Sequence, residues 1–197
     1  MAVSAKLQAF LQQAKVPYTA TTHQVVYTAQ EIAAAQHIPG RQLAKCVLVD
    51  TDRGHVLAVL PAIELIDFKR LKGVLGTKRL SIAKEAKIKE RFPDVEVGAM
   101  SPFGNLYDVP VVADRALEEA GDIMFNAGTH TDTIKMRYQD FARLVKPKTG
   151  SFGQPIQGKP AKKSGTTGRK TSKTKARPTS RRAPAKKPAR RRTSRRR

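Results

Sequence analysis

The chain has 197 residues and carries 38 Lys and Arg against 16 Asp and Glu, a formal net charge of +22 at pH 7. That length accommodates one domain with chain to spare, and the charge predicts a polyanionic partner such as nucleic acid. No stretch approaches the roughly 20 apolar residues of a membrane span, and the single cysteine, Cys46, excludes a disulfide framework and a cysteine-based metal cluster, so we expect a cytoplasmic protein.

The first half of the chain predicts short helices around a β-hairpin. In chain order these are a helix over 4–15, an extended piece at 18–22, a helix from 28 to about Pro39, strands at 44–50 and 55–60, and helices over 68–74 and from Ser81 to Pro93. The helices rest on apolar residues at helical spacing behind a capping residue. The hairpin rests on two apolar runs joined by an Asp-Arg-Gly turn.

The second half predicts strands that alternate with two more helices. In chain order these are strands at 94–97 and 109–112, a helix capped by Asp114, strands within 122–128 and 131–136, and a last helix over 137–145. Glycines and a proline between 98 and 104 interrupt the apolar alternation there. The whole pattern is typical of a single mixed-sheet α/β domain, which we place at residues 1–147.

Residues 148–197 form a basic tail in this prediction. The segment 151–197 holds 18 basic and no acidic residues, and its only large apolar residues are Phe152 and Ile156. Such a composition has too little apolar surface to offset the entropy of folding, so we expect disorder. A solubility segment and a membrane-surface patch are alternatives, but we favour nucleic acid as the partner of residues 159–197, since no apolar face accompanies the charge.

Three local features could carry chemistry. Lys45 begins an apolar strand, where it either reaches out to solvent or points its ammonium group into a cleft. The segment Gly98–Gly104 is either a plain loop or a stiff one whose backbone N–H groups face a ligand. The segment "NAGTH" ends a strand in a glycine turn that presents Thr129 and His130. No phosphate-binding loop, metal-ligand spacing or nucleophile elbow is present, and we expect no cofactor and no metal.

Together these segments resemble one family. "KCVLV" around Lys45, "GAMSP" running into "PFGN", and "FNAGTH" follow one another as in the YbaK/prolyl-tRNA-synthetase-associated domain, and the similarity covers about residues 5–147. The resemblance implies a mixed α/β domain that hydrolyses wrongly charged aminoacyl-tRNA, typically tRNA for proline that carries alanine or another small amino acid. It also implies tRNA as the partner.

The resemblance implies a role for each motif residue. Lys45 would be the essential catalytic lysine near the ester, and Gly98 and Pro102 would bound the loop that holds the aminoacyl end and the attacking water. His130 would shape the amino-acid pocket. The full set of implied substrate-binding residues is Tyr27, Gly98, Ser101, Pro102, Phe103, Gly104, Gly128, Thr129 and His130.

Two classes of function follow from this sequence, and hydrolysis of some other small acyl ester by the same domain is a third possibility. The first is a free-standing editing deacylase whose tail adds sequence-independent affinity for tRNA. The second is a non-specific, histone-like nucleic-acid-binding protein on a repurposed editing fold, which "APAKKPARRR" in the tail also suits. We favour the enzyme, because a pure binder has no need of Lys45, the Gly98–Pro102 loop and His130 together.

Overall fold

Short helices and strands alternate along the part of the chain that a computed structural model describes, residues 4–24 and 38–156. The helices there are α1 Ala5–Ala14, α2 Phe68–Leu75, α3 Glu85–Arg91, α4 Arg115–Glu119 and α5 Tyr138–Val145, with a 3-10 helix at Gly104–Tyr107. The strands are β1 Thr19–Thr22, β2 Ala44–Thr51, β3 Gly54–Pro61, β4 Glu64–Ile66, β5 Leu80–Ile82, β6 Val111–Asp114, β7 Asp122–Asn126, β8 Asp132–Arg137, β9 Lys148–Gly150 and β10 Gly153–Pro155. None of these helices is long and apolar enough to cross a bilayer.

The sheets are mixed, as the sequence predicts. Five strands lie in the order β5-β2-β3-β6-β9, in which β2 and β3 form the antiparallel hairpin and β3, β6 and β9 run parallel. A second sheet has the antiparallel order β1-β8-β7, and β10 pairs with β4. A parallel bridge between Leu43 and Met124 joins the beginning of β2 to β7. This bridge connects the two larger sheets.

The two faces of the five-stranded sheet carry separate cores. The larger core contains Leu57, Val59 and apolar side chains from β7, β8, α1 and α5. At its centre the Phe103 ring is fully buried and lies 5.7 Å from Phe125 and 5.9 Å from Phe141, centroid to centroid. The opposite face packs against α2 and the segment around Phe152. The buried cluster there consists of Ala58, Leu60, Leu71, Val112 and Phe152. The sheet is therefore covered on both faces.

Most predicted elements are confirmed, because local signals determine them. Asp67 Oδ1 accepts hydrogen bonds from the backbone N–H groups of Lys69 and Arg70, and so begins α2. Asp114 Oδ1 accepts one from Ala116 N at the start of α4. Both are the N-cap interaction that an aspartate supplies. The predicted helix between residue 28 and Pro39 lies almost entirely outside the described residues.

Two predicted elements are wrong. Ser81 does not begin a helix: it lies in β5, opposite Asp50 of β2, and α3 begins at Glu85. The backbone groups along the edge of β2 offer a pairing that no local signal reveals. Residues 94–97 form turns instead of a strand, and the next strand begins at Val111, later than expected.

The folded domain also extends beyond the predicted boundary at residue 147. Residues 148–150 and 153–155 are strands, and the Phe152 side chain is fully buried. The buried Asp114 carboxylate accepts hydrogen bonds of 2.6 Å from the backbone N–H groups of Phe152 and Gly153. A segment whose Pro, Gly and Lys content is typical of a linker is thereby held in the domain.

Candidate active site

The two glycine motifs lie side by side. The backbone N–H of Glu96 donates to the carbonyl oxygen of Gly128 at 2.9 Å, and the N–H of Gly128 donates to the carbonyl oxygen of Ala99 at 3.1 Å. The loop that begins at Gly98 is therefore fixed to the turn after β7 by main-chain hydrogen bonds. The structure brings together two segments that the sequence separates by about thirty residues.

His130 adds side-chain bonds to this pairing. Its backbone N–H donates to Glu96 Oε2 at 2.8 Å, and its Nε2 lies 3.0 Å from the carbonyl oxygen of Val97. A carbonyl oxygen only accepts, so Nε2 carries the proton. Gly98 has a φ of +93°, and a Cβ there would lie 3.4 Å from His130 Cε1. That distance is an ordinary van der Waals contact, so it is the left-handed backbone that favours glycine at this position.

Thr129 stabilises the turn from within. Its Oγ1 donates to Asp132 Oδ2 at 2.8 Å and accepts from the backbone N–H of Asp132 at 3.1 Å. The Asp132 carboxylate, which is 3 % exposed, also accepts from Thr22 Oγ1 at 2.8 Å. Gly128 has a φ of +108°, and a Cβ there would lie 3.1 Å from Ser4 Cβ. The turn that presents His130 is thus packed and hydrogen-bonded on several sides.

The second half of the loop is buried. Ser101, Pro102, Phe103 and Gly104 are all shielded from solvent. A Cβ on Gly104 would lie 2.6 Å from the carbonyl oxygen of Val109, so the chain approaches itself too closely there for a larger residue. Since Phe103 points into the main core, this half anchors the loop, whereas Gly98 at its start is exposed to solvent.

The Lys45 ammonium group is held by backbone carbonyls. Lys45 is the second residue of β2, and its half-buried Nζ donates to the carbonyl oxygen of Glu64 and, at 3.4 Å, to that of Ala62. Burial lowers the pKa of this lysine, and the nearby Glu64 carboxylate offsets part of that effect. An ammonium group has three N–H donors. The carbonyl oxygens of Ala62 and Glu64 accept from two of these N–H groups, and the third is available to a ligand.

Glu64 and Asp114 form an acidic pair beside Lys45 that the sequence gives no reason to expect. Burial raises the pKa of Glu64, and the Asp114 carboxylate raises it further. The Glu64 carboxylate lies directly against Gly153, where a Cβ would overlap it. Only the pairing of β4 with β10 brings these residues together, and neither strand has an obvious sequence signal.

The strand arrangement places Lys45 beside the strand that leads to His130. Leu43 and Met124 form a parallel bridge, and the N–H of Met124 donates to the carbonyl oxygen of Gln42 at 2.8 Å. Lys45 follows this bridge by two residues, and β7 continues in the same direction into the turn at Gly128. The lysine and the loop–turn unit are thus connected through neighbouring segments. Tyr27, the remaining predicted site residue, lies outside the described residues.

Two other kinds of chemistry have little support at this site. Across residues 4–24 and 38–156, no three His, Cys, Asp or Glu side chains are grouped closely enough to hold a metal ion. Cys46 follows Lys45 directly, but burial raises the pKa of its thiol. A thiol that stays protonated is a poor nucleophile. The groups in place are an ammonium, an imidazole and backbone donors.

Comparisons with known proteins show which family and which fold the chain is similar to. A family model described as an aminoacyl-tRNA editing domain matches residues 23–144. Prolyl-tRNA editing protein ProX of Acetoanaerobium sticklandii is 29% identical over 148 residues, which cover 72% of this chain and 90% of that protein. Multifunctional Ser/Thr-tRNA deacylase ProXp-y of Escherichia coli K12 is 29% identical over 152 residues, covering 75% and 90%. The crystal structure of hypothetical protein APE2540 has the same fold, with a TM-score of 0.70 at 15% identity over 76% of this chain and 99% of that one.

Proposed function

Since the chain belongs to the aminoacyl-tRNA editing domain family, we propose that it deacylates tRNA for proline that carries alanine or a similarly small amino acid. As an aminoacyl-tRNA deacylase it hydrolyses the ester between the amino acid and the terminal ribose. The observation that carries the proposal is the hydrogen-bonded unit of the Gly98 loop and the His130 turn. The names of the two relatives, one for prolyl-tRNA editing and one for Ser/Thr-tRNA deacylation, support a small amino acid as the acyl group.

In this proposal the loop provides the oxyanion site. Water adds to the ester carbonyl, whose oxygen becomes negatively charged, and the backbone N–H groups at the exposed start of the loop, near Gly98, donate to that oxygen. The C–O bond to the ribose then breaks, and the ribose oxygen leaves with a proton. Donors that are already oriented need no rearrangement as charge develops, which is why a loop fixed by the His130 turn suits the reaction.

Lys45 provides the positive charge. Its remaining N–H is directed at the ester or at the phosphate of the terminal nucleotide, where it stabilises negative charge. The two carbonyl acceptors at Ala62 and Glu64 keep the ammonium in place, so little conformational entropy is lost when substrate binds. The proton of the attacking water passes to the neighbouring ribose hydroxyl or to a second water in the loop.

A small pocket explains why such an enzyme is needed. One methylene group changes binding to an apolar pocket by only about 1–3 kcal/mol, so a synthetase for one small amino acid also activates others. A second hydrolytic site that admits small acyl groups removes these errors. We assign the wall of this pocket to His130 and Gly98, whose contact limits the space available to the acyl side chain.

The basic tail supplies affinity for the RNA. The described chain ends at Ile156, whose backbone N–H donates to the carbonyl oxygen of Ile63 at 3.3 Å. Ile63 directly follows Ala62, a carbonyl partner of Lys45. The last described residue, Ile156, is therefore hydrogen-bonded next to a carbonyl partner of Lys45. Each phosphate that the lysines and arginines of the tail neutralise releases counterions, which raises affinity without reading sequence.

The decisive experiment is a deacylation panel. Transfer RNA for proline and for alanine is charged separately with alanine, serine, threonine, cysteine and proline, and hydrolysis is followed under single-turnover conditions. We expect alanine on tRNA for proline to react fastest and proline on tRNA for proline to stay intact. A chain that binds every tRNA but hydrolyses none would overturn the enzyme and leave the histone-like nucleic-acid-binding protein, since 18 basic residues lie in 151–197.

The tail is tested separately by truncation after Gly158, which keeps β9 and β10 in the folded domain. We expect the truncated chain to bind tRNA more weakly and with a smaller dependence on salt, while its rate on aminoacyl-adenosine stays within about twofold of the full chain. Equal salt dependence for the two chains would show that the tail does not contact the RNA.

A further inference from the structure

Asn126 is the last residue of β7, and its side chain lies on the outer face of that strand. The flanking residues Phe125 and Ala127 both point into the main core. Met124, two residues earlier and therefore on the same face as Asn126, packs against Leu43 and Ala62. Side chains alternate along a strand, so Asn126 projects on the side where Ala62 and the beginning of β2 lie.

The amide oxygen of this asparagine lacks a partner. Asn126 Oδ1 is shielded from solvent and accepts no hydrogen bond from any residue in the described part of the chain. Its cross-strand neighbour is satisfied in the ordinary way, since Thr133 Oγ1 donates to the carbonyl oxygen of Thr21. Buried polar atoms in folded proteins are nearly always paired, so an unpaired acceptor at the edge of a proposed site indicates a ligand.

The position of Asn126 relates it to both halves of the site. Leu43 and Met124 form the parallel bridge, and Lys45 and Asn126 each follow that bridge by two residues. The two side chains are therefore in equivalent positions on neighbouring segments and project to the same face. Two residues further along β7, Gly128 is hydrogen-bonded to the Gly98 loop. Along β7, Asn126 thus lies between the bridge to the beginning of β2 and the turn that binds the Gly98 loop.

We propose that Asn126 Oδ1 accepts a hydrogen bond from the α-ammonium group of the aminoacyl ester. This inference rests on the proposed function and names the group that recognises an amino acid among other acyl groups. The Lys45 ammonium and the backbone N–H groups of the loop are donors, and the acceptors beside them, the Glu64 and Asp114 carboxylates, lie against Lys45 and Gly153. An ammonium group in the substrate needs an acceptor, and a hydrogen bond to a charged group is among the stronger ones in proteins.

Asn126 is therefore a specificity residue and takes no part in bond breaking. A side-chain hydroxyl of a seryl or threonyl group is the competing occupant. We favour the α-ammonium because it donates only and has no other means of being satisfied there, whereas a hydroxyl can also accept from the loop.

The test compares two esters in two variants. Transfer RNA is charged with alanine or with propionate, which has the same carbon chain with hydrogen in place of the α-ammonium, and kcat/KM is measured for the wild type, Asn126→Leu and Asn126→Asp. The intrinsic difference in reactivity between the two esters is the same for every protein, so it cancels when their alanyl-to-propionyl ratios are compared. Gln139→Glu, at an exposed position of α5, controls for adding a carboxylate in place of an amide.

We expect Asn126→Leu to lower the alanyl-to-propionyl ratio by about 10-fold or more, the loss expected for one hydrogen bond to a charged group. Asn126→Asp keeps an acceptor of the same shape, so it should retain or raise the alanyl-to-propionyl ratio. This variant tests the assignment even if Asn126→Leu folds poorly. Gln139→Glu should leave it unchanged. Thermal unfolding of each variant reports its stability independently.

Three results would overturn the assignment. Equal losses on both esters would make Asn126 a structural residue. A ratio that falls in Asn126→Asp as far as in Asn126→Leu would mean that the amide N–H group, and not Oδ1, faces the substrate. If Asn126→Leu keeps the alanyl-to-propionyl ratio but lowers kcat/KM for seryl-tRNA, measured in addition, the side-chain hydroxyl is the group that Asn126 binds. If the wild type hydrolyses none of the aminoacyl esters, the proposed function fails and the assignment fails with it.

Discussion

The two halves of the site are built from different kinds of interaction. The unit of the Gly98 loop and the His130 turn is held by backbone hydrogen bonds, by side-chain hydrogen bonds of His130 and Thr129, and by close packing against Ser4. The Lys45 half is electrostatic: an ammonium group on two carbonyl oxygens beside the carboxylates of Glu64 and Asp114. The first half fixes geometry and the second supplies charge, so substitutions in the two halves should affect different properties.

Loss of the charge should have the largest effect. Lys45→Ala removes the only side-chain cation assigned to the transition state, and we expect deacylation of alanyl-tRNA to fall by about 10²–10³-fold, as for loss of one oxyanion donor. Lys89→Ala, at an exposed position of α3, is the matched control. Single-turnover rates provide the measurement. A Lys45→Ala protein that deacylates as fast as the parent would remove this lysine from the mechanism.

Loss of the loop geometry should come next. Gly98 and Gly54 both have φ in the left-handed region, +93° and +108°, so alanine at either should cost about 1–3 kcal/mol of unfolding free energy. Gly54 lies at the hairpin turn, and a Cβ there meets nothing within 4 Å. We expect Gly98→Ala alone to slow deacylation, by about 10–100-fold.

Denaturant unfolding and single-turnover rates together separate the two effects. Similar rate losses in the Gly98 and Gly54 variants would mean that backbone strain, and not the orientation of the N–H groups in the Gly98 loop, explains the slower deacylation.

Loss of the His130 side chain should reduce the deacylation rate less than loss of the loop geometry. His130→Ala removes one hydrogen bond to the loop, from Nε2 to the carbonyl oxygen of Val97, which is worth about 0.5–1.5 kcal/mol. We expect kcat to fall by about 2–10-fold and larger acyl groups to be accepted better, because space opens beside Gly98. His55→Ala, near the start of β3, breaks a comparable contact with Asp50 at 2.6 Å and should leave kcat unchanged. An unchanged ratio of alanyl to leucyl ester hydrolysis in His130→Ala would contradict the pocket assignment.

The smallest effect should be a displaced pH profile. Burial lowers the pKa of Lys45 and Glu64 opposes this, so activity should decline on the alkaline side below the ordinary lysine pKa of about 10.4. Glu64→Gln removes the opposing charge and should move this decline to lower pH. Lys45→Arg should abolish it, since arginine stays charged. Glu85→Gln, on the exposed start of α3, should not move it.

The same pKa shift has a consequence for stability. The unfolded chain binds the Lys45 proton more tightly than the folded chain, so the unfolding free energy should rise as pH increases from the pKa of Lys45 in the folded chain to its pKa in the unfolded chain.

For the activity prediction, rates corrected for spontaneous ester hydrolysis give the pH profile. A decline at the same pH in wild type and Glu64→Gln would mean that another group titrates.

The sequence predicts what local signals control. Asp67 and Asp114 mark helix starts correctly because an N-cap interaction involves only neighbouring residues. The glycine motifs are recognisable because the left-handed backbone at Gly98 and Gly128 restricts the residue type. Ser81 is misread because a free strand edge, which is a tertiary feature, outweighs its capping preference.

Other features have no local signal. Phe152 lies in a segment with the composition of a linker, and this segment folds because Phe152 packs in the second core and its backbone N–H binds the buried Asp114 carboxylate. The partners of Lys45 are main-chain carbonyls, which any residue type could supply. The unpaired oxygen of Asn126 is visible only when all its neighbours are known. Sequence therefore predicts the motifs of the site but not the contacts that position them.

A double-mutant cycle on Lys45→Ala and Gly98→Ala tests the central claim most directly, because residues that act on one transition state lose their effects together. The rate of alanyl-tRNA deacylation is measured for the wild type, both single variants and the double variant. A shared site predicts that the double variant is about as slow as Lys45→Ala alone. A double variant slowed by the full product of the two single losses would show that the lysine and the loop act independently.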